Sequence, residues 1–194
     1  MEIGVLALQG GFQAHQAVLD KLGVAHRSVK LADDLNHIQG LIIPGGESTT
    51  MLKLMEDFDL FEPLNAFAGS GRPVLGTCAG AILMCEKVSN RNQRSLGWIP
   101  STVDRNAYGS QQYSFQATVD CPLWDLKEAP ALFIRAPRFT GLGEGVQELS
   151  RTDGDITGVV YKNFAAVTYH PELGDDTRFH KAWLEKNGLW SSGQ

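Results

Sequence analysis

The sequence predicts an α/β protein with a mostly parallel central sheet, helices flanking it, and an antiparallel portion added in the second half. Two observations carry this reading. In the first half, short apolar runs that end on glycine alternate with stretches of helical spacing. In the second half, strand-like runs follow one another with only short turns between them.

Residues 3–8 read as a buried strand closed by Gln9-Gly10-Gly11. Residues 12–22 have helical spacing, with Phe12, His15/Gln16, Leu19 and Leu22 on one face and Gly23 as the stop. Residues 24–29 and 40–43 are further strands, the second closed by Pro44-Gly45-Gly46. Residues 47–57 read as a helix with Met51, Leu52, Leu54 and Met55 apolar. Residues 73–76 form another buried run, and 79–88 follow as an apolar helix. Strand-like runs then cover 99–103, 113–119, 131–134, 145–149, 156–161 and 165–169, before a closing helix over 175–186. No repeat or linker interrupts the chain, so 1–190 is expected to be a single domain and 191–194 a frayed tail.

With 17 Lys+Arg against 22 Asp+Glu, the 194-residue chain carries a formal net charge of −5. No basic cluster appears, which argues against nucleic-acid binding. The three cysteines, Cys78, Cys85 and Cys121, are too few and too scattered for a disulfide framework or a CxxC metal site. They suit a reducing compartment. The start, Met1-Glu2-Ile3-Gly4, lacks the basic region of a signal peptide, and no apolar run is long enough to span a bilayer. A cytoplasmic protein without a membrane partner is expected.

The most informative segment is Val74-Leu75-Gly76-Thr77-Cys78-Ala79-Gly80-Ala81. A buried strand runs through Gly-x-Cys-x-Gly straight into a helix, which is a nucleophile elbow with Cys in place of Ser. A sharp turn brings backbone close, so side chains at 76 and 80 would clash. The helix start favours a thiolate at Cys78 and places the Ala79 N–H to stabilise an oxyanion. The alternative is a small buried Cys between two packing glycines. Cys85, read as mid-helix, suits core packing, and Cys121, read as a loop residue before Pro122, is incidental.

In Val167-Thr168-Tyr169-His170-Pro171-Glu172, a strand ends at a sheet edge, where α/β proteins carry their sites. Positions i and i+2 of an extended segment face the same side, and Pro171 keeps the segment extended. Glu172 can therefore orient one nitrogen of His170 while the other takes a proton from a thiol. The alternative is a surface His and Glu beside a turn. His15, His26, His37 and His180 read as solvated or packing residues, and no pair has zinc-site spacing.

Gly40-Leu-Ile-Ile-Pro44-Gly45-Gly46-Glu47-Ser48-Thr49-Thr50 resembles a phosphate loop, but Glu47 stands where such a loop needs Lys. Glycine N–H groups beside an acid and hydroxyls suit a zwitterion: Glu47 for an ammonium, the glycines for an oxyanion. The alternative is a tight turn with a helix cap at Ser48 or Thr49. Arg105 and Arg135 sit in sparsely charged strand surroundings, and either could bind a carboxylate or simply be an exposed strand-end charge.

Together, Gly76-Thr-Cys78-Ala-Gly80 and His170-Pro-Glu172 resemble the class I (triad) glutamine amidotransferases. Pro44-Gly-Gly-Glu-Ser-Thr-Thr-Met51 and Phe133-Ile-Arg-Ala-Pro137 narrow the resemblance to the glutaminase subunits of pyridoxal 5′-phosphate synthases. Leu6-Ala-Leu-Gln-Gly-Gly11, Arg105-Asn-Ala-Tyr-Gly109 and Tyr169-His-Pro-Glu-Leu173 extend it nearly end to end. The resemblance implies a flavodoxin-like fold and hydrolysis of L-glutamine through a Cys thioester. Cys78 is then the nucleophile, His170 the base and acid, and Glu172 the orienter. Glutamine contacts fall to Gly46, Glu47, Ser48, Arg105, Ile134 and Arg135, and the oxyanion hole to Gly46 and Ala79. No metal or cofactor is implied. The implied partner is a (β/α)₈-barrel synthase subunit, as a dodecameric core decorated by glutaminases, which takes the ammonia to make pyridoxal phosphate from ribose 5-phosphate and glyceraldehyde 3-phosphate. Ser110 departs from the Arg often found there. Another cysteine hydrolase or peptidase on this fold is the competing reading, although the Glu47 loop suits a small amino acid better than a peptide.

Overall fold

A computed structural model describes residues 1–89, 92–105 and 114–190. Ser110, residues 106–109 and the expected frayed tail lie outside the described residues.

The first half alternates as its glycine-punctuated pattern predicts: β1 (Ile3–Leu6), α1 (Phe12–Lys21), β2 (His26–Val29), β3 (Gly40–Ile43), α2 (Ser48–Asp57), α3 (Phe61–Gly69), β4 (Val74–Thr77) and α4 (Ala79–Met84). The second half runs β5 (Cys85–Val88), β6 (Ile99–Asp104), β7 (Ser114–Cys121), β8 (Leu126–Ile134), β9 (Arg138–Leu142), β10 (Gln147–Thr152), β11 (Asp155–Tyr161), β12 (Phe164–Val167) and α5 (Arg178–Lys186).

A seven-stranded sheet has the order β10-β11-β12-β4-β3-β1-β2. The five strands from β12 to β2 are parallel, in the flavodoxin-like order, and β11 and β10 continue it antiparallel. Side-chain alternation divides the core. Leu41, Ile43 and Val74 face one side, with Met51 and Met55 of α2, Phe67 of α3 and Leu83 of α4. Ile42 and Leu75 face the other, with Leu19 of α1 and Phe179 and Trp183 of α5. The loops after β1, β3, β4 and β12 therefore converge on the carboxyl edge of the parallel strands.

Several expectations need correction. The helix expected over 79–88 ends at Met84, and Cys85 begins strand β5, because residues 85–88 gain a ladder with β6. Cys85 is a fully buried strand residue, not a helical one, so its packing role stands on a different element. Cys121 ends β7 and is buried, rather than lying in a loop. Only β10 and β11 of the antiparallel strands join the main sheet. β7–β8 form a separate hairpin, and β5-β6-β9 a small sheet of their own. Helix α3 and strand β9 have no counterpart in the sequence reading.

Candidate active site

Cys78 lies at the turn from β4 into α4, and its N–H donates to Val167 O of the neighbouring β12 at 2.8 Å. Its φ of 48° places a non-glycine residue in the left-handed region, the strain expected of an elbow. Both flanking glycines are sterically required. A Cβ at Gly80 would stand 2.1 Å from Ile43 O, and one at Gly76 2.5 Å from Met84 Sδ. Ala79 is the first residue of α4 and is buried.

His170 comes three residues beyond β12, held by its N–H donating to Leu132 O of β8 at 2.8 Å. Its Nδ1 lies 2.7 Å from Glu172 Oε1, the same-side placement that i, i+2 spacing predicts. The Cys78 side chain interacts with the His170 imidazole, whose Nδ1 is taken up by Glu172. Burial disfavours charge on His170, but the hydrogen bonds and charges of Cys78 and Glu172 outweigh it and raise the imidazole to about 10. Burial likewise opposes the Glu172 carboxylate, yet the electrostatics of the neighbouring His15 and His170 and the His170 hydrogen bond hold it at about 2. His15 is itself pushed down by burial. At neutral pH the positive charge facing Glu172 is therefore that of His170.

The loop after β3 closes the site. A Cβ on Gly45 would lie 2.4 Å from His170 Cε1 and 3.3 Å from Cys78 Cβ, so only glycine fits there. The Gly45 carbonyl accepts from the Gly11 N–H at 2.9 Å. In a trans peptide the Gly46 N–H then points away from the Gln9–Gly11 loop. Gln9 Oε1 accepts from the Glu47 N–H at 2.8 Å, tying the two glycine loops together.

Glu47 is the N-cap of α2, its side chain accepting from Thr50 N at 2.8 Å and from the Thr49 and Thr50 hydroxyls. The sequence placed this cap at Ser48 or Thr49, but Ser48 is instead the first helical residue, buried, with its hydroxyl accepting from Gln93. Burial pushes Glu47 up, and the Thr49 and Thr50 hydrogen bonds overcome it to hold the carboxyl at about 2. Its other oxygen pairs with Arg105 Nη2, just past β6. The two charges proposed for one amino-acid ligand thus meet each other across the site. Ile134 ends β8 with its carbonyl 4.0 Å from Cys78 Sγ, while Arg135 follows, exposed and at φ 45°.

Residues 5–188 match the SNO glutamine amidotransferase family. The chain belongs to this family. Among the relatives of the SNO-family chain, pyridoxal 5′-phosphate synthase subunit PdxT of Shouchella clausii is 45% identical over 95% of this chain and 94% of its own length. The PdxT subunit of Thermotoga sp. strain RQ2 is 44% identical over 95% and 98%. A solved glutamine amidotransferase superposes with a TM-score of 0.90 at 37% identity, covering 96% of this chain and 98% of its own. The PurLQS structure from Thermotoga maritima, at a TM-score of 0.72 and 17% identity, shares the fold.

Sequence reasoning missed two residues that pack behind this candidate site of the SNO-family chain. His15 and His180 are fully buried, 2.8 Å apart, and His15 Nε2 lies 3.6 Å from Glu172 Oε1. The available signal was position: His15 falls on the buried stripe of α1, directly after the Gln9-Gly10-Gly11 loop. His26 and His37 lie away from this site, His26 bonded to Asp20 and His37 exposed. Among the described residues no cluster of His, Cys, Asp or Glu could hold a metal ion, and no helix is long and apolar enough to cross a membrane.

Proposed function

We propose that this chain hydrolyses L-glutamine to L-glutamate and ammonia, and hands the ammonia to the synthase subunit of a pyridoxal 5′-phosphate synthase. The observation that carries the reading is the placement of Cys78, His170 and Glu172 on adjoining strand ends of a chain in this family. The Cys78 thiolate attacks the amide carbon, and the Ala79 and Gly46 N–H groups stabilise the oxyanion. His170, oriented by Glu172, protonates the departing ammonia and leaves a thioester. It then takes a proton from water, which adds to the thioester and releases glutamate and the thiol.

Glu47 binds the α-ammonium and Arg105 or Arg135 the α-carboxylate, with the Ser48 and Ile134 backbone lining the pocket. The Glu47–Arg105 pair supports this assignment, since a zwitterion presents each residue with the charge it already faces. It also weighs against a peptidase, whose substrate lacks a free head group at the scissile site. The partner is a (β/α)₈-barrel synthase, a dodecameric core decorated by glutaminases, fed by ribose 5-phosphate and glyceraldehyde 3-phosphate. Work in the cytoplasm suits its free thiols.

Coupling follows from the Gly45-Gly46 peptide. Two glycines allow either orientation at low cost, and docking of the synthase holds the Gly46 N–H toward the oxyanion. One such donor contributes about 10²–10³ in kcat. The test is glutamate production by the chain alone and with excess synthase. The chain alone should be feeble and strongly stimulated by its partner. Full activity alone would remove the coupling, and casein cleavage without ammonia release from glutamine would favour the peptidase.

A further inference from the structure

Behind the triad lies a second polar chain, sealed from solvent. His15 on α1 and His180 on α5 are both 0% exposed, with Nδ1 of His15 2.8 Å from Nε2 of His180. His15 Nε2 lies 3.1 Å from Thr77 Oγ1 and 3.6 Å from Glu172 Oε1. Thr77 Oγ1 in turn accepts the Gly45 N–H at 3.1 Å. At the far end, His180 Nδ1 is buried with no hydrogen-bond partner.

That orphan fixes the direction of the chain. A proton on His180 Nδ1 would bury an N–H without an acceptor, and His15 would then turn a lone pair toward the Glu172 carboxylate. A proton on His180 Nε2 leaves only a lone pair orphaned. His180 then donates to His15 Nδ1, and the His15 Nε2–H faces Thr77 Oγ1 and the carboxylate. The second arrangement costs less, because an unmet buried donor is avoided and an N–H meets an anion. Burial pushes both imidazoles below their ordinary range, His180 to about 3, so the pair is neutral at working pH. The ionisable groups facing His15 are Glu172 and His170 from the loop after β12 and His180 from α5.

We propose that His15, its tautomer set by His180, is a positioning residue that holds the Glu172 carboxylate against His170 and ties it through Thr77 to the Gly45 loop. The proposal rests on the glutaminase reading above and deepens it. One rigid unit would then fix both the base and the strand end that carries the oxyanion peptide. Neither histidine reaches the head-group side, where Glu47 and Arg105 lie. The effect therefore belongs on kcat rather than KM.

Two substitutions separate this role from simple packing. In His15→Asn the shorter amide reaches the Nδ1 position, keeping a partner for His180 but losing the donor toward Glu172. In His15→Gln the amide reaches the Nε2 position and keeps that donor. Glutamate production is measured with saturating synthase, together with iodoacetamide labelling of Cys78 in the chain alone, with Cys78→Ser as the blank. His15→Asn should lower kcat about ten- to a hundredfold with KM unchanged. It should also move the acid limb of kcat/KM to higher pH, because Glu172 loses a facing donor, and slow labelling of Cys78 at pH 7. His15→Gln should recover most of each. Wild-type kcat, acid limb and labelling in His15→Asn would overturn the proposal. So would equal losses in both variants, which would mean a packing role. A wild-type protein that labels at Cys78 but releases no glutamate with synthase would instead overturn the glutaminase reading.

Discussion

Cys78, His170 and Glu172 stand on the ends of β4 and β12, strands that pair in register with Val167 opposite Thr77. Glu47, Arg105 and Ile134 come from a helix cap and from the ends of two strands in two other, smaller sheets. The first group is set by a parallel ladder that the whole core holds in place. The second meets only where three separately supported segments come together. Their electrostatics differ in the same way. The reacting side pairs a raised imidazole with a depressed carboxylate, both largely out of solvent. On the proposed recognition side, Glu47 and Arg105 pair with each other. On the proposed assignment the reactive geometry stands before substrate arrives, whereas recognition would exchange one ion pair for two.

The largest effect should come from the reacting side. Cys78→Ala should reduce glutamate formation by about four to six orders of magnitude, because residues of a triad act as a unit. Cys85→Ala, which alters a buried residue outside the site, should retain turnover. Substantial glutamate release from Cys78→Ala would separate the elbow from the chemistry. Next in size is Gly45→Ala. Its Cβ would sit 2.4 Å from His170 Cε1, so the imidazole must move away from Cys78. A displaced base should lower kcat about 10²–10³-fold while leaving the melting temperature within a few degrees. Undiminished kcat would show that the base tolerates displacement, and the rigid-side argument would fail.

The same contrast explains what could be read in the sequence. Strands β1, β3 and β4 were legible because each is a continuous apolar run closed by glycine, and Gly10, Gly45 and Gly80 meet neighbours at contact distance in the fold. The elbow and the His-Pro-Glu segment were legible because local geometry alone brings their side chains onto one side. Strand β5 was not, since Cys85-Glu86-Lys87-Val88 follows an apolar helix and its extended form comes from pairing with β6, a tertiary gain. The Glu47–Arg105 pair was not, because those residues are 58 apart and the choice among Arg105, Arg135 and solvent depends on how the small sheets dock. His15 and His180, 165 positions apart, have no local signature beyond a polar residue on an apolar stripe.

On the recognition side the effects should be smaller and fall on kcat/KM. Glu47→Ala removes the group assigned to the α-ammonium and the cap of α2. Loss of a charge-assisted hydrogen bond costs about 1.5–3 kcal/mol, or roughly 10- to 150-fold. Arg105→Ala should fall in the same range, and the double variant should lose less than the product of the two, since each single change leaves its partner unmatched. Strict multiplication of the two losses, measured by steady-state kinetics with saturating synthase, would mean that the two residues do not act on one head group.

The smallest effect concerns stability and lies entirely on the buried side. His180 is held neutral to about pH 3 by burial and by the neighbouring His15, which outweigh the opposing charge of Glu172, whereas in the unfolded chain it protonates near 6.5. Below 6.5 the unfolded state therefore binds the extra proton, and stability falls as pH falls toward 3. His15 shifts in the same direction. Glu172, depressed to about 2, adds a further loss only below about 4.5, where its unfolded form begins to protonate. Near pH 5.5 the loss from His180 should be on the order of 1 kcal/mol, one pH unit below its ordinary value. Thermal melts should thus show a decline that starts near pH 6.5 and steepens below 4.5. His180→Phe should make the first part shallower and leave the second. Glu47 is also depressed, but it is partly exposed on the recognition side, so Glu47→Ala should leave the decline between pH 6.5 and 4.5 intact. If Glu47→Ala made that part shallower and His180→Phe did not, the buried and open sides would have been assigned the wrong way round.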